Sequence, residues 1–248
     1  MIDKAYIRKA FDRYVADYDA GDPKIRLKID HTYRVAGLCA RIAEEVPGTE
    51  PDLAWVMGML HDIGRFEQVR RYHTFIDARS VQHAAFGADL LFREGLLEQL
   101  APGLSEEQRH LLEVSIRNHS AYRLPAELTE IERLYCQLLR DADKIDIFRV
   151  IWETPLEDIY NVSREALENA TVSEEVKDCF RSRTSVLREL KKTPIDYLVA
   201  HICMSFELVL PVSREIAGEQ DYLGRLLAFR SRNPETEDWF AYMRANYR

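Results

Sequence analysis

Apolar residues return every three to four positions along nearly the whole chain, and that period leaves the α-helix as the one element it can build throughout. Strict apolar–polar alternation, the mark of a half-buried strand, is missing. The ten glycines and nine prolines among 248 residues fall largely between the periodic segments, where they act as breaks. The fold class expected is all-α. Helices are predicted over 3–18, 24–46, 52–62, 80–94, 105–119, 128–152, 155–169, 173–190, 193–216 and 219–230, with a small helix in the last residues. The stretch 66–79, "FEQVRRYHTFIDAR", is too irregular to read as more than a loop or short helix.

Composition narrows the function. Hydrophobic residues at 46% and charged residues at 31% suit a globular protein with a sizeable core. A formal net charge of −8 opposes binding to a nucleic-acid polymer as the main task, since phosphate backbones are held by an excess of Lys and Arg. Cys39, Cys136, Cys179 and Cys203 form no Cys-x-x-Cys pair and read as packing residues. The N-terminal stretch is charged throughout, and no run approaches the roughly 18 apolar residues of a membrane span, so a cytoplasmic protein that does not enter membranes is expected.

Polar residues on faces that should be buried carry more information. Leu27, His31, Val35, Leu38 and Ile42 share one helical stripe, which turns His31 toward the core as a bonded core histidine or as a ligand. On the helix 128–152, Ile131, Leu134, Tyr135, Leu138, Leu139, Ala142, Ile145 and Val150 draw an apolar arc. Steps of about 100° per residue place Asp143 and Asp146 in or beside that arc and turn Asp141 away toward solvent. An inward carboxylate is costly unless a cation or several donors meet it. His61 and Asp62 close "DLAWVMGML", with Gly64 as the expected helix stop. His83 follows Ser80, the expected N-cap of its helix, and His119 ends "LLEVSIRNHS". So many imidazoles and carboxylates at helix ends point to a shared metal site rather than to separate coincidences.

This ordered set resembles the HD superfamily of metal-dependent phosphohydrolases. The residues that carry the resemblance are His31, the adjacent His61-Asp62 and the distant Asp143, within "HTYRVAGLCARIA", "MGMLHDIGRF", "HAAFGADLL" and "LLRDADKIDIF". The resemblance covers about residues 24–150 and implies an HD-domain helical bundle there. Residues 1–23 are then an N-terminal helix packed on that core, and 151–248 a C-terminal helical extension of the same globular unit. It also implies that His31, His61, Asp62 and Asp143 hold a divalent ion. His83 and His119 stand where some branches add histidines, which implies a second ion with Asp62 bridging the two. The Gly-Tyr-Pro sequence of the HD-GYP branch is absent. Imidazole-rich ligation favours Fe or Mn, with Co, Ni and Zn as alternatives, over Mg.

The activity implied is hydrolysis of a phosphate ester, in a nucleotide or other small phosphorylated metabolite, by metal-activated water. The candidate cations are Arg34, Arg65 and Lys144, with Arg65 read as a phosphate ligand or a surface ion pair. Arg70 and Arg71 read first as solvated charges, and His73 as an acid toward the leaving group or an ordinary loop histidine. Asp146 is expected to orient a ligand or to anchor a substrate group. Two rivals remain: an HD-fold di-iron oxygenase, which resembles the same four-histidine, two-aspartate set, and a non-catalytic HD signalling or binding module. The apolar stretch 193–216 is expected to cover the core, with His201 packed inside, and would also serve a homodimer.

Overall fold

The computed structural model of the chain describes residues 2–19 and 21–247, and every regular element among them is helical, so the protein is all-α. Two compact units divide it, Met1–Asp143 and Lys144–Arg248. In the first unit the helices are α1 (Lys4–Val15), α2 (Pro23–Glu45), α3 (Pro51–Leu60), α4 (Ile63–Tyr72), α5 (His83–Phe92), α6 (Leu96–Leu100) and α7 (Glu106–Asn118). The long α8 (Glu130–Glu153) begins there, and the boundary at 143/144 falls inside it, ahead of the 150/151 boundary drawn from the sequence.

Local chemistry starts these helices where the sequence permits. Asp22 caps α2 by accepting from the Lys24 amide at 2.8 Å, and Pro23 takes the first helical position, where a missing N–H costs nothing. Ser105 and Gln108 form a reciprocal capping box at the start of α7, at 3.2 and 3.1 Å. Helix α3 is apolar nearly all round, and Leu53, Ala54, Val56, Met57, Met59 and Leu60 are buried, as an unpolarised helix must be. Each of these side chains except Ala54 contributes about 1.5–3 kcal/mol relative to exposure, which makes α3 a rigid platform between α2 and α7. Phe11 of α1 meets Tyr33 of α2 and Phe66 of α4 edge-on, at 5.6 and 5.9 Å.

The segment left irregular in the sequence is ordered. It contains most of α4, which ends at His73 in the left-handed region (φ 54°), and a 3₁₀ turn at Asp77–Arg79. Ser80 does not cap α5. Gln82 holds the N-cap position, while the Ser80 hydroxyl accepts from Gln68 and donates to the Ile76 carbonyl.

In the second unit the predicted long helices are shorter. The stretch 155–169 forms α9 (Leu156–Tyr160) and α10 (Arg164–Asn169), separated by the left-handed Asn161 and the Ser163 cap. Helix α11 (Glu174–Arg181) stops before left-handed Arg183 (φ 54°). The stretch 193–216 divides into α12 (Pro194–Cys203), a 3₁₀ turn and α13 (Pro211–Gln220). Pro211 forces the preceding Leu210 into an extended conformation, which ends one helix and starts the next. Helices α14 (Tyr222–Leu227) and α15 (Pro234–Asn246) complete the unit. His201 on α12 stacks on Tyr160 at 5.7 Å, with its Nδ1 2.9 Å from the tyrosine hydroxyl.

No helix among the described residues is long and apolar enough to cross a membrane.

Candidate metal centre

Helix ends bring His61, Asp62, His83 and His119 together, while His31 and Asp143 project from within α2 and α8. His61 is the C-cap of α3 and Asp62 the N-cap of α4, so the chain turns between two helices at the pair. Asp62 stands at a capping position but its carboxylate makes no capping bond; it is turned into the protein and is 3% exposed. Its Oδ2 lies 3.5 Å from His61 Nε2 and 3.8 Å from His31 Nε2. Its Oδ1 lies 3.5 Å from His83 Nε2 and 3.6 Å from His119 Nε2. One carboxylate thus divides its two oxygens between two pairs of imidazoles. Asp143 joins the first pair, with Oδ1 3.1 Å from His31 Nε2 and 3.8 Å from His61 Nε2. The groups His31–His61–Asp62 and Asp62–His83–His119 are each close enough to hold one ion.

The protonation pattern favours a cation. His61 Nδ1 donates to the Gly58 carbonyl and His119 Nδ1 to the Ile116 carbonyl, both at 2.7 Å. Carbonyls only accept, so these bonds fix the proton on Nδ1 and leave the Nε2 lone pair facing inward. His83 Nδ1 donates in the same way to Asp77 Oδ2 at 2.7 Å. The Nε2 atoms of His83 and His119 then face each other at 3.0 Å with two lone pairs, an arrangement that repels until a cation lies between them. His61 Nε2 is buried with no hydrogen-bond partner among the described residues. Orphaned, inward-facing lone pairs of this kind fit a metal.

Electrostatics agree with that reading. Burial pushes His61 and His83 down to about 4 despite their carboxylate neighbours, so both are neutral at pH 7, the form in which an imidazole can ligate a metal. Burial would raise Asp62, but neighbouring positive charge, the Lys28 ammonium first, outweighs it and holds the carboxyl well below its usual range. Asp143 is likewise held low, as bonding to His31 and the nearby His61 overcomes burial.

Two residues that the sequence reading passed over adjoin the cluster. Lys28 Nζ donates to Asp62 Oδ2 at 2.5 Å; it precedes His31 by three residues on α2, and that i,i+3 spacing was a usable signal. Asp77 lies in a turn and left no periodic trace. Burial works to raise its carboxyl, but donors from His83, Arg65 and Gln68 bring it down to about 2. Asp77 therefore locks His83 in the Nδ1–H tautomer, with the Nε2 lone pair free to face a cation, and makes it a stronger base. Replacing Asp77 with Asn is expected to weaken metal binding at the His83–His119 half about ten- to a hundredfold, while the His31–His61 half binds as before. Calorimetric titration of metal-stripped protein would resolve the two, and an unchanged second half would refute the role.

The other sequence candidates are dispersed. Arg65 stays beside the cluster: its Nη1 donates to Asp77, Gln68 and the Phe75 carbonyl at 2.8, 2.8 and 2.6 Å, and its Nε lies 3.7 Å from Asp62 Oδ1 with no hydrogen-bond partner among the described residues. Arg70 and Arg71 both turn to buried Glu67. His73 is exposed at the end of α4, and Arg34 is half-buried on α2. Lys144 and Asp146 lie in the second unit, where both are buried and Lys144 Nζ is 3.6 Å from Glu207. Asp141 corrects the helix-face argument. It is 1% exposed, not solvated, because α8 is covered on all sides from Arg140 to Asp146 except at Asp143, whose side chain is 16% exposed.

Residues 29–147 match the family model of the HD domain, a superfamily of metal-dependent hydrolases, and that span includes all six clustered residues. Searches of curated proteins and of solved structures found no match.

Proposed function

We propose that this HD domain hydrolyses a phosphate ester of a nucleotide or other small phosphorylated metabolite, using Fe or Mn held by His31, His61, Asp62, His83, His119 and Asp143. The observation that carries this reading is the Asp62 carboxylate, with one oxygen toward each pair of inward-facing Nε2 atoms. Such ions supply Lewis-acid charge to a phosphoryl oxygen and make a bound water more acidic.

The rest falls to the chain itself. His61 and His83 need release no proton before ligating, because burial keeps them neutral. Arg65 lies one helical turn after Asp62, and its Nε–H has no hydrogen-bond acceptor among the described residues, so it is placed to donate to a phosphoryl oxygen. Asp77 restrains both Arg65 and His83, which keeps the cation and the ligand in a fixed relation.

Protein loaded with Mn²⁺ and screened against phosphomonoesters and against linear and cyclic dinucleotides is expected to release phosphate or nucleotide from one class. Inactivity toward all of them at full metal loading would overturn the proposal. Oxygen consumption by an iron-loaded sample that is inert with Mn²⁺ would replace it with the oxygenase alternative.

A further inference from the structure

The oxygen that faces His31 and His61 already carries a cation. Lys28 Nζ is 2.5 Å from Asp62 Oδ2, closer than either imidazole nitrogen, while the oxygen toward His83 and His119 has Arg65 Nε at 3.7 Å as the cation seen beside it. The two halves of the cluster are therefore not equivalent.

Charge explains why an ammonium belongs there. Asp62 Oδ2 and Asp143 Oδ1 both lie within 3.8 Å of His31 Nε2 and His61 Nε2, so the first half gathers two carboxylates in one small space. Lys28 supplies an offsetting charge from within the chain. A divalent ion drawn to Asp62 Oδ2 meets an ammonium already at contact distance, and the two positive charges repel strongly in a buried setting. The lysine stem is long and flexible, and the Lys28 side chain is 17% exposed, so the ammonium has a route toward solvent when displaced.

We propose that metal entry at the His31–His61–Asp62–Asp143 half is a cation exchange, in which the ion displaces Lys28 from Asp62. The inference rests on the metal-centre reading of the same residues and adds a role for Lys28. In the metal-free protein this lysine is the counter-charge that holds Asp62 and its neighbours in place. In the metal-bound protein it is released. The first half thus pays an exchange penalty that the second does not.

Lys28→Met tests the exchange, with Co²⁺ titrated calorimetrically into metal-stripped protein and the melting temperature of the metal-free form measured alongside. Loss of a charge-assisted bond that must otherwise be broken is expected to tighten binding at the first half about ten- to a hundredfold, to leave the second half within a few-fold, and to lower the metal-free melting temperature. Lys28→Arg, which keeps the charge, is expected to bind Co²⁺ nearly as the wild type does, and it serves as the comparison if Lys28→Met does not fold without metal. In that case the Met variant is refolded with Co²⁺, and its rate of metal loss to a chelator is compared with that of the Arg variant; slower loss supports the exchange. Equal or weaker Co²⁺ binding by Lys28→Met, or equal loss rates, would overturn it while leaving the metal centre intact. A wild type that binds no Co²⁺ would overturn both.

Discussion

Asp62→Ala is expected to bind neither ion and to lose at least about a hundredfold of any metal-dependent activity, the upper end of what removing even a residue behind a ligand costs. The reason is its double engagement. Every other residue of the cluster faces one half, whereas the two Asp62 oxygens stand within 3.8 Å of four imidazole nitrogens. Truncation takes an anionic ligand from both halves at once, and it leaves His83 and His119 facing each other with no carboxylate to hold a shared cation. A folding defect has to be separated from this, because the Lys28 ammonium also loses its partner. Asp62→Asn serves that purpose: it keeps the shape and an acceptor but removes the charge. The Asn variant is expected to fold, with a circular-dichroism spectrum like that of the wild type, and to show far less metal per chain by elemental analysis. Two ions retained by either variant would refute the bridging role.

The cluster shows what a sequence reveals and what it hides. His31 is legible because the 3.6-residue period of α2 fixes which face it occupies. His61, Asp62, His83 and His119 are legible because they stand where apolar periods begin or end, and helix ends are where side chains from different helices can meet. Lys28 was legible by the same rule as His31, one turn away, and was missed only because a lysine near a surface rarely signals anything. Asp77 could not be found that way. Its turn has no period, and its partner His83 is near only after Arg65 and Gln68 have folded the segment onto α4. Asp141 failed for a different reason. A helix-face argument assumes that the side opposite the apolar arc meets water, and on α8 Asp141 on that side is buried. The break before α13 was written in Pro211, but the apolar run on either side of it masked the signal.

Gly64 is the residue whose role changed most, and Gly64→Ala is expected to lower both stability and metal content. The sequence suggests a helix stop, yet Gly64 is the second residue of α4 and its φ is not positive. What requires glycine is a close approach of backbones. A Cβ at Gly64 would lie 2.4 Å from the His83 carbonyl oxygen and 2.7 Å from the Gly87 amide nitrogen, both on α5. Neither is a flexible side-chain end, so α5 itself must move. Overpacking of this kind costs about 1–3 kcal/mol, partly offset by the gain of about 1 kcal/mol that alanine brings over glycine inside a helix. The position of the clash matters more than the net figure, since α5 carries His83 at its first residue. Moving its backbone lengthens the distances from Nε2 to Asp62 and from Nδ1 to Asp77. The expected result is a melting temperature lower by up to several degrees without metal, from up to about 2 kcal/mol of net loss, and a second ion that no longer binds while the first remains. Gly37→Ala on α2, where a Cβ meets nothing within 4 Å, is the internal control and is expected to be neutral or to stabilise by up to about 1 kcal/mol. Wild-type melting and two bound ions in Gly64→Ala would show that α5 can yield without disturbing His83.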